Sequence, residues 1–178
     1  GTDTADTRVV VTNDGKTADS TLVDRFNGIE IDLTDTSAQR IHFQYGTDTI
    51  SNIENVIGSN LNDYIKGSDA SNTLEGGDGN DYLIGGKGAD RLIGGTGTDT
   101  ADFFDGTNKV VIDLTKVQVN GSTGTYRIQD DGFGNKEYID GVENIVGTAY
   151  DDTIYGVANQ NEIISGKGVK GKIGNNEI

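Results

Sequence analysis

The 178-residue chain has no Cys, no Met, no Pro and no Trp, and it has one His. Without Cys there is no disulfide to staple a thin fold and no thiolate to hold zinc. The single imidazole, His42, has no second His and no HExxH or GxSxG around which a zinc or serine hydrolase could be assembled. Alternation with Ile41 and Phe43 places it on an outer strand face. The absence of Met leads us to expect a processed product or an excised piece of a longer protein. With Pro absent, the 27 Gly are the main punctuation, as in a ladder-rich repeat rather than a linker.

Large aliphatic and aromatic residues are also scarce. Leu, Ile, Val and Phe make up 43 of 178 residues, or 24%, just above the roughly 20% below which a strongly charged chain stays disordered. A core is possible but thin. The longest apolar runs are far too short to span a bilayer. Positive charge is short as well: 14 Lys and Arg stand against 29 Asp and Glu, for a net charge of -15. That balance argues against nucleic acid and anionic membrane surfaces as partners and favours multivalent cations. In so acidic a chain, paired carboxylates carry no specificity for glycosidase chemistry.

What the chain has instead is a step of nine. Residues 76–99 read Gly-Gly-x-Gly-x-Asp followed by x-apolar-x, twice in full and begun a third time. Gly76, Gly85 and Gly94 open the units, and Asp81, Asp90 and Asp99 close their turns. The frame extends backwards through units opening at Gly67, Gly58 and Thr49, with Asn72, Asp63 and Glu54 at the sixth position. The apolar eighth position then runs Val56, Ile65, Leu74, Leu83, Leu92, Ala101. Each unit predicts one short strand that points a single large side chain inward.

Residues 1–48 lack the nonapeptide and alternate instead. Ile29, Ile31 and Leu33 oppose Glu30 and Asp32, and Ile41, Phe43 and Tyr45 repeat the pattern, which predicts half-buried strands. The chain also repeats on a larger scale. GTDTAD at 97–102 copies residues 1–6, Ile112–Thr115 copies Ile31–Thr34, and VENIVG at 142–147 copies IENVIG at 53–58. Asp152 then matches Asp63, and Asn161 matches Asn72. The organisation expected is a flanking module (1–48), a nonapeptide block (49–102), a β-rich insertion that copies the flanking module (103–137), and a second, degenerate block (138–178).

Two nine-residue units make one coil of eighteen, so turns eighteen apart stack: 58, 76 and 94 on one edge, 67 and 85 on the other. Strands stacked at about 4.8 Å bring each turn close enough to its neighbour for a cation to sit between them. Calcium takes six to eight oxygens at roughly 2.3–2.6 Å. The expected ligand-bearing turns are Gly76, Gly77, Asp78, Gly79 and Asp81; Gly85, Gly86, Lys87, Gly88 and Asp90; and Gly94, Gly95, Thr96, Gly97 and Asp99. Asp63 and Asn72 are further candidates. Glycines at positions one, two and four are expected to adopt positive φ and turn carbonyls inward. An all-oxygen set suits calcium rather than zinc or copper, and magnesium tolerates such loose cages poorly. One inward Leu per nine residues cannot offset backbone ordering at ~1–2 kcal/mol per residue. The chain should therefore be disordered without calcium and folded with it.

Other positions have simpler readings. Glu54 and Glu143 look more like turn-structuring acids than ligands. Tyr64 and Tyr82, at position seven, point outward as surface tyrosines. Lys170 lies eighteen residues beyond Asp152, where an ammonium could replace a cation, although surface lysines on a decayed repeat are the simpler account.

On these motifs, residues 58–99 resemble the RTX repeats of proteins exported by Gram-negative type I secretion, with weaker units over 49–102 and 138–164. The resemblance implies an all-β fold: a right-handed parallel β-roll, a form of β-helix or solenoid, with longer β-strand flanking modules. It also implies several bound calcium ions, partnership with the type I secretion machinery, and folding outside the cell. The function expected is a non-enzymatic, calcium-binding element, secreted or at the cell surface, that stabilises or extends a larger parent protein. Two other roles stay open: a module of an adhesin or sugar-modifying enzyme that contacts polysaccharide or a cell surface, and the accessory C-terminal part of a secreted protease or lipase.

Overall fold

In the computed structural model, residues 28–39, 49–115 and 128–156 are described in full, together with the backbone of Asp48 and of the short strands at 8–10, 162–164, 170–173 and 176–177. Every regular element among them is a strand. None is a helix that could cross a membrane.

The chain coils between two parallel sheets. The first holds β1 (Arg8–Val10), β5 (Asn55–Ile57), β7 (Thr73–Asp78), β9 (Arg91–Thr96) and β13 (Tyr138–Asp140), hydrogen-bonded in that order. The second holds β2 (Glu30–Asp32), β6 (Tyr64–Lys66), β8 (Tyr82–Ile84), β10 (Thr100–Asp102), β14 (Asn144–Val146) and β16 (Glu162–Ile164). Register follows the eighteen-residue coil: Asn55 pairs with Thr73 and Thr73 with Arg91, while Tyr64 pairs with Tyr82 and Tyr82 with Thr100. This is the parallel β-roll expected from the repeat.

Strands three residues long allow one inward side chain each, because side chains alternate between faces. The eighth-position residues Val56, Ile65, Leu74, Leu83, Leu92 and Ala101 are all fully buried, and Ile31, Ile139 and Ile145 continue the file. Ile29 is buried with them and Leu33 packs against the core, as the alternation predicts, whereas Ile41, Phe43, Tyr45 and His42 lie outside the described residues.

After β10 the chain leaves the coil. β11 (Val110–Asp113) pairs antiparallel with β12 (Ile128–Asp131), with an irregularity between Val111 and Ile112. The coil then resumes in place, since β9 pairs with β13 (Arg91 with Tyr138) and β10 with β14 (Thr100 with Asn144). A third sheet carries β12, β11, β15 (Thr153–Gly156), β17 (Lys170–Ile173) and β18 (Asn176–Glu177), and β3 (Ala38–Gln39) pairs with β4 (Asp48–Thr49).

The larger sequence repeat is a structural one. The N–H of Ile29 donates to Oδ1 of Asp63, and in the second copy the N–H of Val110 donates to Oδ1 of Asp152. Thr34 and Thr115 each fold back by N–H and Oγ1 onto the aspartate two residues before, Asp32 and Asp113.

Candidate metal sites along the roll

The turns stack in two columns, one along each edge of the roll. On one edge the N–H of Asp63 donates to Oδ1 of Asp81 (2.9 Å), that of Asp81 to Oδ1 of Asp99 (2.8 Å), and that of Asp99 to Oε2 of Glu143 (2.9 Å). On the other, the N–H of Asn72 donates to Oδ1 of Asp90 at 2.7 Å. Asp81, Asp90 and Asp99 are each at most 2% exposed. Their Oδ1 atoms therefore knit the coils together, but their Oδ2 atoms are buried with no hydrogen-bond partner. A buried carboxylate oxygen without a donor is costly, by about 1–3 kcal/mol or more when charged, so three at one motif position call for a cation or a proton.

The glycines explain how those oxygens are grouped. Positions two and four take the positive φ expected of them: Gly77 (115°), Gly79 (124°), Gly86 (91°), Gly88 (111°), Gly95 (117°) and Gly97 (139°). Position one departs from expectation. Gly76, Gly85 and Gly94 do not have positive φ and are glycine for want of space. A Cβ on Gly76 would fall inside contact distance of Asp81 Oδ2 and of the Gly94 carbonyl, and one on Gly94 would meet Asp99 Oδ2 and the Gly141 carbonyl. On Gly85 it would meet Asp90 Oδ2. The missing methyl is thus a cradle where a carboxylate oxygen of one turn approaches a carbonyl of the next. Among the described residues no three acidic or imidazole side chains form a ready cage. The donor set is mixed carboxylate and carbonyl oxygen, and it fits calcium.

The weaker turns solve the same problem differently. In the turn of Asp63, Ser59 donates its N–H to Oδ2 (2.6 Å) and its hydroxyl to Oδ1 (2.8 Å). Ser68 does the same for Oδ1 of Asn72 at 2.7 and 3.2 Å. Thr148 does it for Asp152, N–H to Oδ2 at 2.8 Å and hydroxyl to Oδ1 at 2.7 Å. Position two therefore separates two kinds of turn. A hydroxyl residue there satisfies the acid from within, and a glycine in positive φ leaves Oδ2 open. The signal is present in the sequence as GS, GS and GT against GG.

Burial dominates the electrostatics. It pushes the carboxyl of Asp81 up to about 7, against the lowering effect of the Asp63 N–H and with help from the charges of Asp63, Asp99 and Asp78. Asp90 and Asp99 are raised to about 6, again chiefly by burial. Glu137 is raised well above the usual carboxylate range by burial and then by the charges of Asp90 and Asp131.

The position-three side chains stand outside the cradles. Lys87 is paired with Asp69 at 2.6 Å, and Thr96 donates to Asp78 at 2.7 Å. Asp78, Lys87 and Thr96 can thus reach a cradle only through the main chain. Glu143 acts as a turn acid by accepting from Asp99, whereas Glu54 has a buried Oε2 without a partner. Tyr64 and Tyr82 stack on each other, centroids 5.8 Å apart, and the Tyr82 hydroxyl donates to Asp102. The strand register sets Lys170 opposite Thr153 rather than in line with Asp152, so the eighteen-residue spacing slips by one there. The Asp152 carboxylate is already held by Thr148 and Val110. Asn161 lies outside the described residues.

The family model described as RTX calcium-binding nonapeptide repeat (4 copies) matches residues 57–92, 66–101 and 139–169. No curated protein matches the chain.

Proposed function

With residues 57–101 and 139–169 built of RTX calcium-binding nonapeptide repeats, we propose that this chain is a folding element that calcium switches on, non-enzymatic itself and part of a larger secreted protein. The observation that carries this reading is the trio of buried, partnerless Oδ2 atoms on Asp81, Asp90 and Asp99. In the assignment proposed, each of these carboxylates supplies a charged ligand, and inward main-chain carbonyls of neighbouring turns complete the set. Gly76, Gly85 and Gly94 keep the space open, and the glycines at positions two and four set the loop. Asp63 and Asn72, capped by Ser59 and Ser68, serve as coil-to-coil staples rather than ligands.

Calcium, when bound, neutralises the carboxylates that burial disfavours. The chain's own residues then do the structural work. Each Oδ1 holds the N–H of the coil before it, and each eighth-position side chain closes the core. Secretion, and folding after export, rest on the family resemblance together with the acidic, cysteine-free composition. The test is a calcium titration followed by far-UV circular dichroism and calorimetry. Strand signal should rise with calcium as several ions bind per chain. Equal strand content in excess chelator and in millimolar calcium would rule the reading out.

A further inference from the structure

The outer face of the second sheet carries a groove of about 400 Å³, lined by Glu30, Asp32, Asp35, Gln39 and Tyr64. Its rim is fixed in place. The Gln39 carboxamide accepts from the Asp32 N–H at 2.9 Å and donates to the carbonyls of Asp32 and Asp35, both at 2.7 Å. The loop after β2 is thereby held over the sheet with its acids at the edge of the groove. Thr34 and Ser37 occupy one carboxylate oxygen each of Asp32 and Asp35. Lys66, the register partner of Asp32, stands 3.8 Å from Asp32 and 3.5 Å from Asp105 and is shared between them. The exposed carboxylate of Glu30 has no neutralising partner among the described residues.

Tyr64 gives the groove an aromatic side. Tyr82 covers one face of its ring, with centroids 5.8 Å apart and planes 10° from parallel. The other face is turned down the ladder toward Glu30, which the register places directly opposite Tyr64. The same arrangement occurs, complete, on the first sheet. Arg91 and Tyr138 are register partners there, and the Arg91 guanidinium lies 3.7 Å from the centre of the Tyr138 ring. In both pairs the tyrosine precedes a buried isoleucine of the later coil, Ile65 or Ile139. Its partner precedes a buried residue of the earlier coil, Ile31 or Leu92. At Tyr138 the chain supplies the cation itself. At Tyr64 the position that would supply it is an acid.

We propose that this groove binds an organic cation with a guanidinium head. The head lies on the Tyr64 face, where the ring quadrupole attracts it. Its planar fork of donors meets the Glu30 carboxylate, with Asp32 and Asp35 adding charge at the rim. Guanidinium fits better than ammonium because one flat group can stack on the ring and pair with a carboxylate at once. A volume of this order is that of a small-ligand pocket. The groove lies on a sheet face rather than in the stacked turns, and it shares no residue with the calcium cradles. Two sources carry such a head: a free diffusible amine, and an arginine side chain of a basic partner.

The test uses the full chain saturated with calcium, titrated with agmatine as a free guanidinium ligand and with a blocked Gly-Arg-Gly peptide, and followed by NMR shifts. Shifts should gather at residues 30–39 and at the Tyr64 ring, and the tighter of the two probes identifies the source. Glu30→Gln should weaken binding roughly two- to fivefold. Glu30→Arg should abolish it, because it sets a guanidinium on the Tyr64 face from within, as Arg91 does at Tyr138. Asp151→Asn removes the same charge from another exposed residue and should leave affinity unchanged. Glu30 is exposed, so both of its variants should keep the wild-type circular dichroism in calcium. Equal weakening by Asp151→Asn, or shifts spread over the exposed carboxylates of the whole chain, would overturn the proposal in favour of diffuse attraction to a net charge of -15. Undiminished binding in Glu30→Arg, or no binding of either probe, would overturn it too.

Discussion

The main-chain N–H of Asp63 donates to Oδ1 of Asp81, 2.9 Å away and eighteen residues later, while the other oxygen of Asp81 lies buried beside the Gly94 carbonyl without a donor. One carboxylate thus does two jobs. It staples two coils through Oδ1 and offers Oδ2 to a cation.

Replacing Asp81 by Asn should separate those jobs. The amide oxygen can still accept from Asp63, but the charged ligand is gone. Because ligand charge sets calcium affinity, the calcium concentration needed for half-folding should rise by about tenfold or more, equivalent to ~1.4 kcal/mol. In chelator the variant should be no less structured than wild type, since a buried charge has been removed. A wild-type calcium midpoint, read by circular dichroism, would contradict this.

Acid should partly substitute for calcium. Burial raises Asp81 to about 7 and Asp90 and Asp99 to about 6 in the folded roll, against roughly 3.9 for an unfolded Asp. Between pH ~4 and ~7 the folded state therefore binds more protons than the unfolded state, and stability without calcium falls as pH rises through that window. Each group contributes up to ~1.4 kcal/mol per pH unit while it titrates. In chelator, strand content and resistance to urea should be higher at pH 5 than at pH 7.5. The reverse order would show that these carboxylates are not buried.

Two glycines make a controlled pair. Gly76→Ala places a methyl on Asp81 Oδ2 and on the Gly94 carbonyl and should abolish one ion-binding step. Gly134 has a φ of 93°, yet a Cβ there meets nothing within 4 Å. Gly134→Ala should therefore cost only the backbone strain, about 1–2 kcal/mol, and leave the ion count intact. Calorimetric stoichiometry distinguishes the two.

The hydroxyl-capped turns should respond to a different change. Ser59→Ala removes the donor to Asp63 Oδ1 but keeps the N–H to Oδ2. The expected cost is about 1 kcal/mol, seen equally at low and saturating calcium, with no ion lost. A drop in stoichiometry would make Asp63 a ligand.

Much of the roll was legible in the sequence because one constraint repeats. Every eighth position is inward, so Val56 through Ala101 could be read as core, and the copies IENVIG and VENIVG announced matching strands. What the period cannot express is where the chain departs from it. The pairing of Arg91 with Tyr138 and of Thr100 with Asn144 depends on how a 35-residue excursion, 103–137, returns to the stack. The burial of Glu137 in line with Asp90 follows from that return and is a tertiary fact. At the site, the Asp positions were plain, but the reason for the first glycine was not. Positive φ is the ordinary reason to read into a Gly, and only the stacked neighbour turn reveals a clash instead. The role of Ser59, Ser68 and Thr148 was open to reading, since a hydroxyl four residues before an acid is a local hydrogen-bonding pattern.

The ladder of sixth-position acids has a sense of direction. In each link the N–H belongs to the earlier residue and the carboxylate or its equivalent to the later one: Ile29 to Asp63, Asp63 to Asp81, Asn72 to Asp90, Asp81 to Asp99, Asp99 to Glu143, Val110 to Asp152. The main-chain bonds beside it run the other way, with the N–H of Tyr82 donating to the Asp63 carbonyl, that of Arg91 to Asn72 and that of Thr100 to Asp81. Each pair of neighbouring coils is thus cross-linked in both directions, and parting them strands donors and acceptors on both sides at once.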